Sequence, residues 1–208
     1  MFALTDTDLT LKILGCADGP ANFNAQMHQK GHHVISCDPL YQLTAEQIQQ
    51  RIEATYQDVI TQTHRNQEKF LWDTIASPEE LGRLRLAAMS NFLEDYAQGK
   101  SEGRYFLAEL PYLPFPTLSF DIALCSHFLF LYSANFTLEF HQQAIEAMCR
   151  VAHEVRIFPL LTYNAEPSPY VAPVVEHFQS SGFEVSLETV VYEFQRGGNQ
   201  MLHISRLS

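Results

Sequence analysis

The sequence predicts an α/β domain: a doubly wound, mostly parallel seven-stranded sheet with an antiparallel last strand and a helical insertion after the second strand. Three observations carry this expectation. The stretch Lys12-Ile-Leu-Gly-Cys-Ala-Asp-Gly-Pro-Ala-Asn22 reads as an apolar strand broken at Gly15 into a glycine turn, with a helix-compatible segment from Ala21 to about Gln29. Beyond it, short apolar runs alternate with helical patterns, the signature of a parallel sheet flanked by helices. Between the last two runs lies Gln195-Arg-Gly-Gly-Asn199, a short-turn signal that sets the final strand antiparallel to its neighbour.

The first strand spans 11–15 and leads into the turn Gly15 to Pro20, with a helix over 20–30. In such turns glycine lets the backbone come close to a ligand, and the new helix aims unpaired N–H groups and a positive dipole end at the same spot. The second strand, 33–37, ends on Asp38-Pro39. An acid at that tip, about 20 residues past the turn, is placed to grip a ribose hydroxyl pair.

The third strand is expected only at 104–109, so about 60 residues intervene, far beyond an ordinary connection. The intervening region, 43–98, carries two sharp helix starts. Thr44-Ala-Glu-Gln47 is a capping box, followed by Ile48, Ile52, Tyr56, Val59 and Ile60 on one face. Ser77-Pro78-Glu79-Glu80 is the second, with proline at the first helical position and Gly99 as the expected C-cap. Phe70, Leu71 and Trp72 form an apolar knot between them. Two amphipathic helices leaving the sheet beside Asp38 are expected as a helical cap over the ligand edge, the alternative being that they cover the sheet or bury their faces in a dimer. The remaining pattern is strand 119–125, helix 136–152, strand 154–160, helix 168–181 and strands 183–193 and 199–206.

Composition bounds the function. The 208 residues suit one domain, 1–208, with the insertion inside it. A formal net charge of -11 argues against a nucleic-acid partner, which calls for a basic face. Cys16, Cys37, Cys125 and Cys149 form no C-x-x-C pair and are expected as reduced core thiols. Histidines and carboxylates show no H-x-x-x-H or H-E-x-x-H spacing within an expected helix, so no metal is expected. With no basic leader followed by an apolar run and no membrane-length stretch, the chain is expected to be cytoplasmic, without a membrane partner, as a monomer or homodimer.

The turn separates two ligand classes. A dinucleotide site wants glycine at the first, third and sixth turn positions, which here are Gly15, Ala17 and Pro20. A nicotinamide-dependent oxidoreductase is therefore the weaker reading. The spacing Gly15-x-Ala17-x-Gly19 instead resembles the G-x-G-x-G of class I S-adenosylmethionine (SAM) methyltransferases with the middle glycine lost. The segment Ala108-Glu109-Leu-Pro-Tyr-Leu113 through Ser119-Phe120-Asp121 to His127 is similar in spacing to that family's third and fourth motifs. Ser126 to Ser133 and Tyr192 to Gln200 resemble segments of a group of uncharacterised bacterial proteins of this type.

The resemblance implies SAM as cofactor, held by Gly15, Cys16, Ala17, Asp18, Gly19, Asp38, Pro39, Glu109, Leu110, Cys125 and Ser126. Glu109 would lie near the adenine amino group, an NH2 donor suited to an acceptor-only carboxylate. His127 is the candidate base at the mouth of the site, and a small-molecule methyl acceptor would meet Trp72 and Tyr132. The family's acid two residues before the first glycine is Ile13 here, and Asp18 is the candidate substitute. That departure keeps open a non-catalytic binding or regulatory protein on the same fold.

Overall fold

The strand–turn–helix opening forms: β1 (Ile13–Cys16) runs through the turn into α1 (Phe23–Gln29), and β2 (Val34–Cys37) follows. The computed structural model describes residues 1–206. After β2 come α2 (Ala45–Arg65), α3 (Pro78–Ser101) and β3 (Tyr105–Phe106). The second half contains β4 (Phe120–Ser126), α4 (Leu138–Val151), β5 (Ala152–Phe158), α5 (Val171–Ser180), β6 (Phe183–Thr189) and β7 (Gln200–Arg206). The seven strands form one sheet in the order β3-β2-β1-β4-β5-β7-β6, with β7 antiparallel to both of its neighbours. This is the expected mostly parallel sheet with an antiparallel last strand.

Side-chain alternation sorts the strands onto two faces. Leu14, Cys16, Ala123, Cys125, Val155, Ile157, Leu202 and Ile204 point to the face covered by α4 and α5, through Ile145, Met148, Val174 and Phe178. Ile13, Val34, Ile122 and Leu124 point to the other face, under α1 (Phe23, Met27) and the N-terminal Phe2, Leu4 and Leu9. Cys37, Cys16 and Cys125 stand side by side across three strands, all reduced and buried.

Both cap motifs operate, one completely. Thr44 and Gln47 form the reciprocal capping box of α2. Ser77 Oγ accepts from the Glu80 N–H, but the Glu80 carboxylate reaches past it to the Ala76 N–H. The two helices cross closely at Gly82, where a Cβ would lie 2.5 Å from Ile60 Cδ1. The far end of α3 lies on the sheet edge: Phe92 and Tyr96 pack with Tyr41 and Tyr105 in an aromatic cluster.

Three local expectations need correction. Gly99 does not end α3, which continues to Ser101. It is glycine because a Cβ would sit 2.4 Å from the Tyr105 ring, and Gly103, at φ +75°, makes the turn instead. The third strand has two residues rather than six, since only Ser36 and Cys37 of β2 are in register to pair with it. The link from β6 to β7 is not a tight turn: Val190 still donates its N–H to the Asn199 carbonyl, and the residues between them form a loop that pairs with the insertion at Phe70 and Gln195.

Candidate functional site

At the carboxyl end of β1 the turn is shaped around one carboxylate. Asp18 folds back over Gly15 so closely that a Cβ there would fall 1.9 Å from Asp18 Oδ2. Glycine at 15 is thus required by a side chain of this chain. Ser36, which faces Gly15 across the β1–β2 ladder, donates its hydroxyl to Asp18 Oδ2 at 2.6 Å. Ser36 in turn accepts from Asn24 Nδ2, and Asn24 Oδ1 accepts from Arg104 Nη1. Arg104 closes a two-pronged pair with Asp95 on α3. A polar chain therefore runs from the turn, under the start of α1, to the second helix of the insertion. Ala17, where the family has glycine, still takes φ +56°. The alanine pays a steric cost of roughly 1–2 kcal/mol to keep a glycine-type turn.

Asp38 extends from the tip of β2 toward the same turn. Its Oδ2 accepts from the Gly19 N–H at 2.9 Å, and its Oδ1 from the Leu40 N–H at 2.7 Å, capping the short 3-10 turn that begins at Pro39. Tyr41, fully buried, donates to the Gly19 carbonyl at 2.8 Å. Among the described residues, the two acids converge with no cation as a hydrogen-bond partner. Burial raises Asp18 to about 6; the Ser36 hydrogen bond opposes that rise, and the negative charge of Asp38 adds to it. Burial raises Asp38 as well, against its two backbone donors.

On the β3 side, Leu110 packs into the core while Glu109 remains exposed at the rim. At the end of β4, Cys125 is buried and Ser126 Oγ lies 2.8 Å from His127 Nδ1. His127 takes φ +53° while its N–H is held by the Phe158 carbonyl, and its ring meets Phe158 edge-on. Strained non-glycine backbone of this kind concentrates at functional sites. The ring is reachable by solvent but walled by protein, and that desolvation, with Arg85 adding positive charge, lowers it to about 4. His127 is therefore neutral near pH 7, able to accept a proton. Sequence reasoning did not single out Arg85, which faces this corner from α3.

The insertion is stitched to the far end of the sheet. Residues 69–71 pair with 194–196: the Leu71 N–H donates to the Phe194 carbonyl at 2.8 Å and the Arg196 N–H to the Lys69 carbonyl at 2.9 Å. Phe194 stacks on Phe70 at 5.0 Å between ring centres and meets Trp72 edge-on. Trp72 donates its indole N–H to the Gln67 carbonyl, so the structure places it in this latch. A recess of about 420 Å³ opens nearby, between Gln62 at the end of α2 and the loops that follow β4 and β5. Tyr132 lines it, and Trp72 does not.

Of the expected residues, the structure brings together Gly15 to Gly19, Asp38 and Pro39 at one turn, and Cys125 to His127 at the next strand end. Ser36, Tyr41, Asn24 and Arg104 were missed. Ser36 carried a signal, being a polar residue inside the apolar run Val34 to Cys37. Among the described residues, no group of three His, Cys, Asp or Glu side chains is placed to hold a metal ion. No described helix is long and apolar enough to cross a membrane.

Uncharacterised protein MJ0045 of the archaeon Methanocaldococcus jannaschii is 31% identical to the chain over 208 residues, covering 99% of this chain and 90% of that protein. The chain belongs to the family of MJ0045. This relative is archaeal, whereas the sequence resemblance pointed to a bacterial group. No family model matches the chain. Among solved structures, the magnesium protoporphyrin IX methyltransferase of Synechocystis PCC 6803 with bound SAM superposes with a TM-score of 0.51 at 12% identity. The match covers 97% of this chain and 73% of that one. The pyocyanin biosynthetic protein PhzM gives a TM-score of 0.50 at 11% identity, over 98% of this chain and 52% of the other. At these identities the likeness is one of fold: the MJ0045 family member described here has the class I methyltransferase fold.

Proposed function

We propose that the protein binds SAM at the Gly15–Gly19 turn and transfers its methyl group to a small molecule. The observation that carries this reading is the convergence of Asp18 and Asp38 on one glycine turn with no cation to pair them. Partly burying two neighbouring carboxylates costs stability unless a positive or donor-rich ligand joins them. SAM has both features, a cationic methionine end and ribose hydroxyl donors. Each carboxylate oxygen already holding one hydrogen bond keeps a lone pair for another, so the residues present fit the group.

Bound SAM supplies a methyl group activated on a sulfonium. Asp18 takes the place of the acid missing at Ile13 and faces the methionine end. Asp38 holds the ribose hydroxyls while fixing the turn through the Gly19 N–H. Glu109 at the rim accepts from the adenine amino group. Holding donor and acceptor in line supplies much of the acceleration in such displacements, and neutral His127 takes the acceptor's proton where the acceptor carries one.

The test is calorimetric titration of the full chain with SAM and S-adenosylhomocysteine at pH 7.5 and 5.5. Micromolar binding is expected, weaker at pH 5.5 because Asp18 is ionised above about 6 and protonated below it. Asp18→Asn shrinks the pH difference to what Asp38, also raised by burial, contributes, and Asp38→Ala costs tens-fold, matching roughly 1.5–3 kcal/mol for a charged hydrogen bond. No binding to folded protein defeats the reading. Binding without turnover across an acceptor screen supports the non-catalytic alternative, which the apolar Ile13, buried among Met27, Val34 and Ile122, favours.

A further inference from the structure

The recess beside Tyr132 is bounded by three separate parts of the chain. Gln62 comes from the insertion, Tyr132 and Asn135 from the loop after β4, and Thr162, Tyr163 and Asn164 from the loop after β5. The two loops are tied by the Tyr163 N–H donating to the Leu131 carbonyl at 2.8 Å. The Tyr163 hydroxyl donates to Gln62 Oε1, also at 2.8 Å, which brings the insertion into the wall. Gln195 of the latch loop donates to the Thr162 carbonyl at 3.1 Å. The loop after β4 begins at His127, whose backbone is pinned to Phe158, where β5 ends.

We propose that this recess is the acceptor site, and that it takes a neutral, planar molecule of one or two fused rings with hydrogen-bonding edges. The word acceptor rests on the methyl-transfer reading; the binding chemistry does not. A volume of about 420 Å³ lies in the usual span for small-molecule sites, roughly 300–1,000 Å³. None of the lining side chains is charged, in a chain of net charge -11. A charged ligand would shed water there and meet no counter-ion. Carboxamides and hydroxyls supply donors and acceptors, while the Tyr132 and Tyr163 rings, 41% and 50% exposed, offer flat walls. The Thr162 hydroxyl is buried on this wall without a protein partner. Closed to solvent, that hydroxyl offers a ligand no direct hydrogen bond, so recognition falls to the exposed Tyr132, Asn135, Tyr163 and Asn164.

The experiment compares a matched pair of probes, 4-hydroxybenzamide and 4-hydroxybenzoate, by ligand-detected NMR and calorimetry on the full chain, with and without S-adenosylhomocysteine. The amide should bind at least tenfold more tightly than the carboxylate. Ala134→Phe, which fills the recess from an exposed position on its wall, should weaken the amide tenfold or more and leave S-adenosylhomocysteine affinity unchanged. Asn135→Leu serves the same purpose should the first variant misfold. Equal or tighter binding of the carboxylate, no binding of either probe, or indifference to the filling variants overturns the proposal. Amide binding without any S-adenosylhomocysteine binding keeps the site and removes the methyl-transfer reading instead.

Discussion

Asp18 and His127 show how single residues here are held away from their ordinary chemistry. Asp18 is raised because it is buried against a second acid, and His127 is lowered because it is desolvated with Arg85 nearby. The His127 shift favours the uncharged imidazole that can take a proton, whereas the Asp18 shift works against its anion and leaves it ionised only above about pH 6, so a cationic ligand there would pull it back down. The imidazole state is directly measurable. Nitrogen-detected NMR of His127 should show a neutral ring from pH 5.5 to 8, with a midpoint near 4. A midpoint above 6 would mean the ring is fully hydrated, which removes the crevice and the base with it. His127→Gln should leave cofactor affinity intact and cost roughly 10²–10⁴ in turnover of an acceptor that loses a proton.

At the scale of elements, the latch is what sequence reading could not reach. Phe70 and Trp72 were legible as an apolar knot and Gly197-Gly198 as a turn, but their meeting is a contact across more than 120 residues of sequence. No local periodicity encodes it. The turn signal misled for a physical reason: glycine marks where the chain bends, not whether the flanking residues continue the ladder. Here Phe194 gains two aromatic partners by leaving it. The helix starts at Thr44 and Ser77 were readable because a cap is local chemistry. Gly99 was not, because its purpose is clearance for the Tyr105 ring on another element. Phe194→Ala should loosen the latch alone, removing two ring pairs of roughly 0.5–1.5 kcal/mol each. Hydrogen exchange should quicken by tenfold or more at 69–71 and 194–196 and stay unchanged in β4. Quickened exchange in β4 would show that the latch belongs to the global folding unit instead.

The whole molecule divides the work between two unequal sheet faces. One face is closed by α4 and α5 with an apolar core, and the sequence foreshadowed it through apolar runs that alternate with helical segments. The other, over β5, β7 and β6, carries Glu154, Arg156 and His203 in place of apolar residues. The N-terminal segment covers it, as Arg156 donates to the Phe2 carbonyl and pairs with Asp8. Nothing in the spacing of Glu154, Arg156 and His203 marks this cover, since burial by a distant segment leaves no trace in a sequence pattern. His203 lies between Glu154 at 3.2 Å and Glu188 at 3.0 Å. Its close contact with the Glu154 carboxylate raises it above the usual histidine value, while partial burial and Arg156 oppose the rise. A raised histidine stabilises the fold fully below its unfolded value, near 6.5, and loses that contribution as pH climbs through the folded value. His203 does not act on Asp18, which therefore cancels in the difference between a His203→Gln variant and the parent, and Glu154, held below the usual carboxylate range, is ionised throughout pH 6–9. Urea unfolding should therefore find His203→Gln destabilised at pH 6 and close to the parent at pH 9. A gap that is constant across that range would mean the histidine acts by packing alone, and that the N-terminal segment is held by Arg156 without help from its charge.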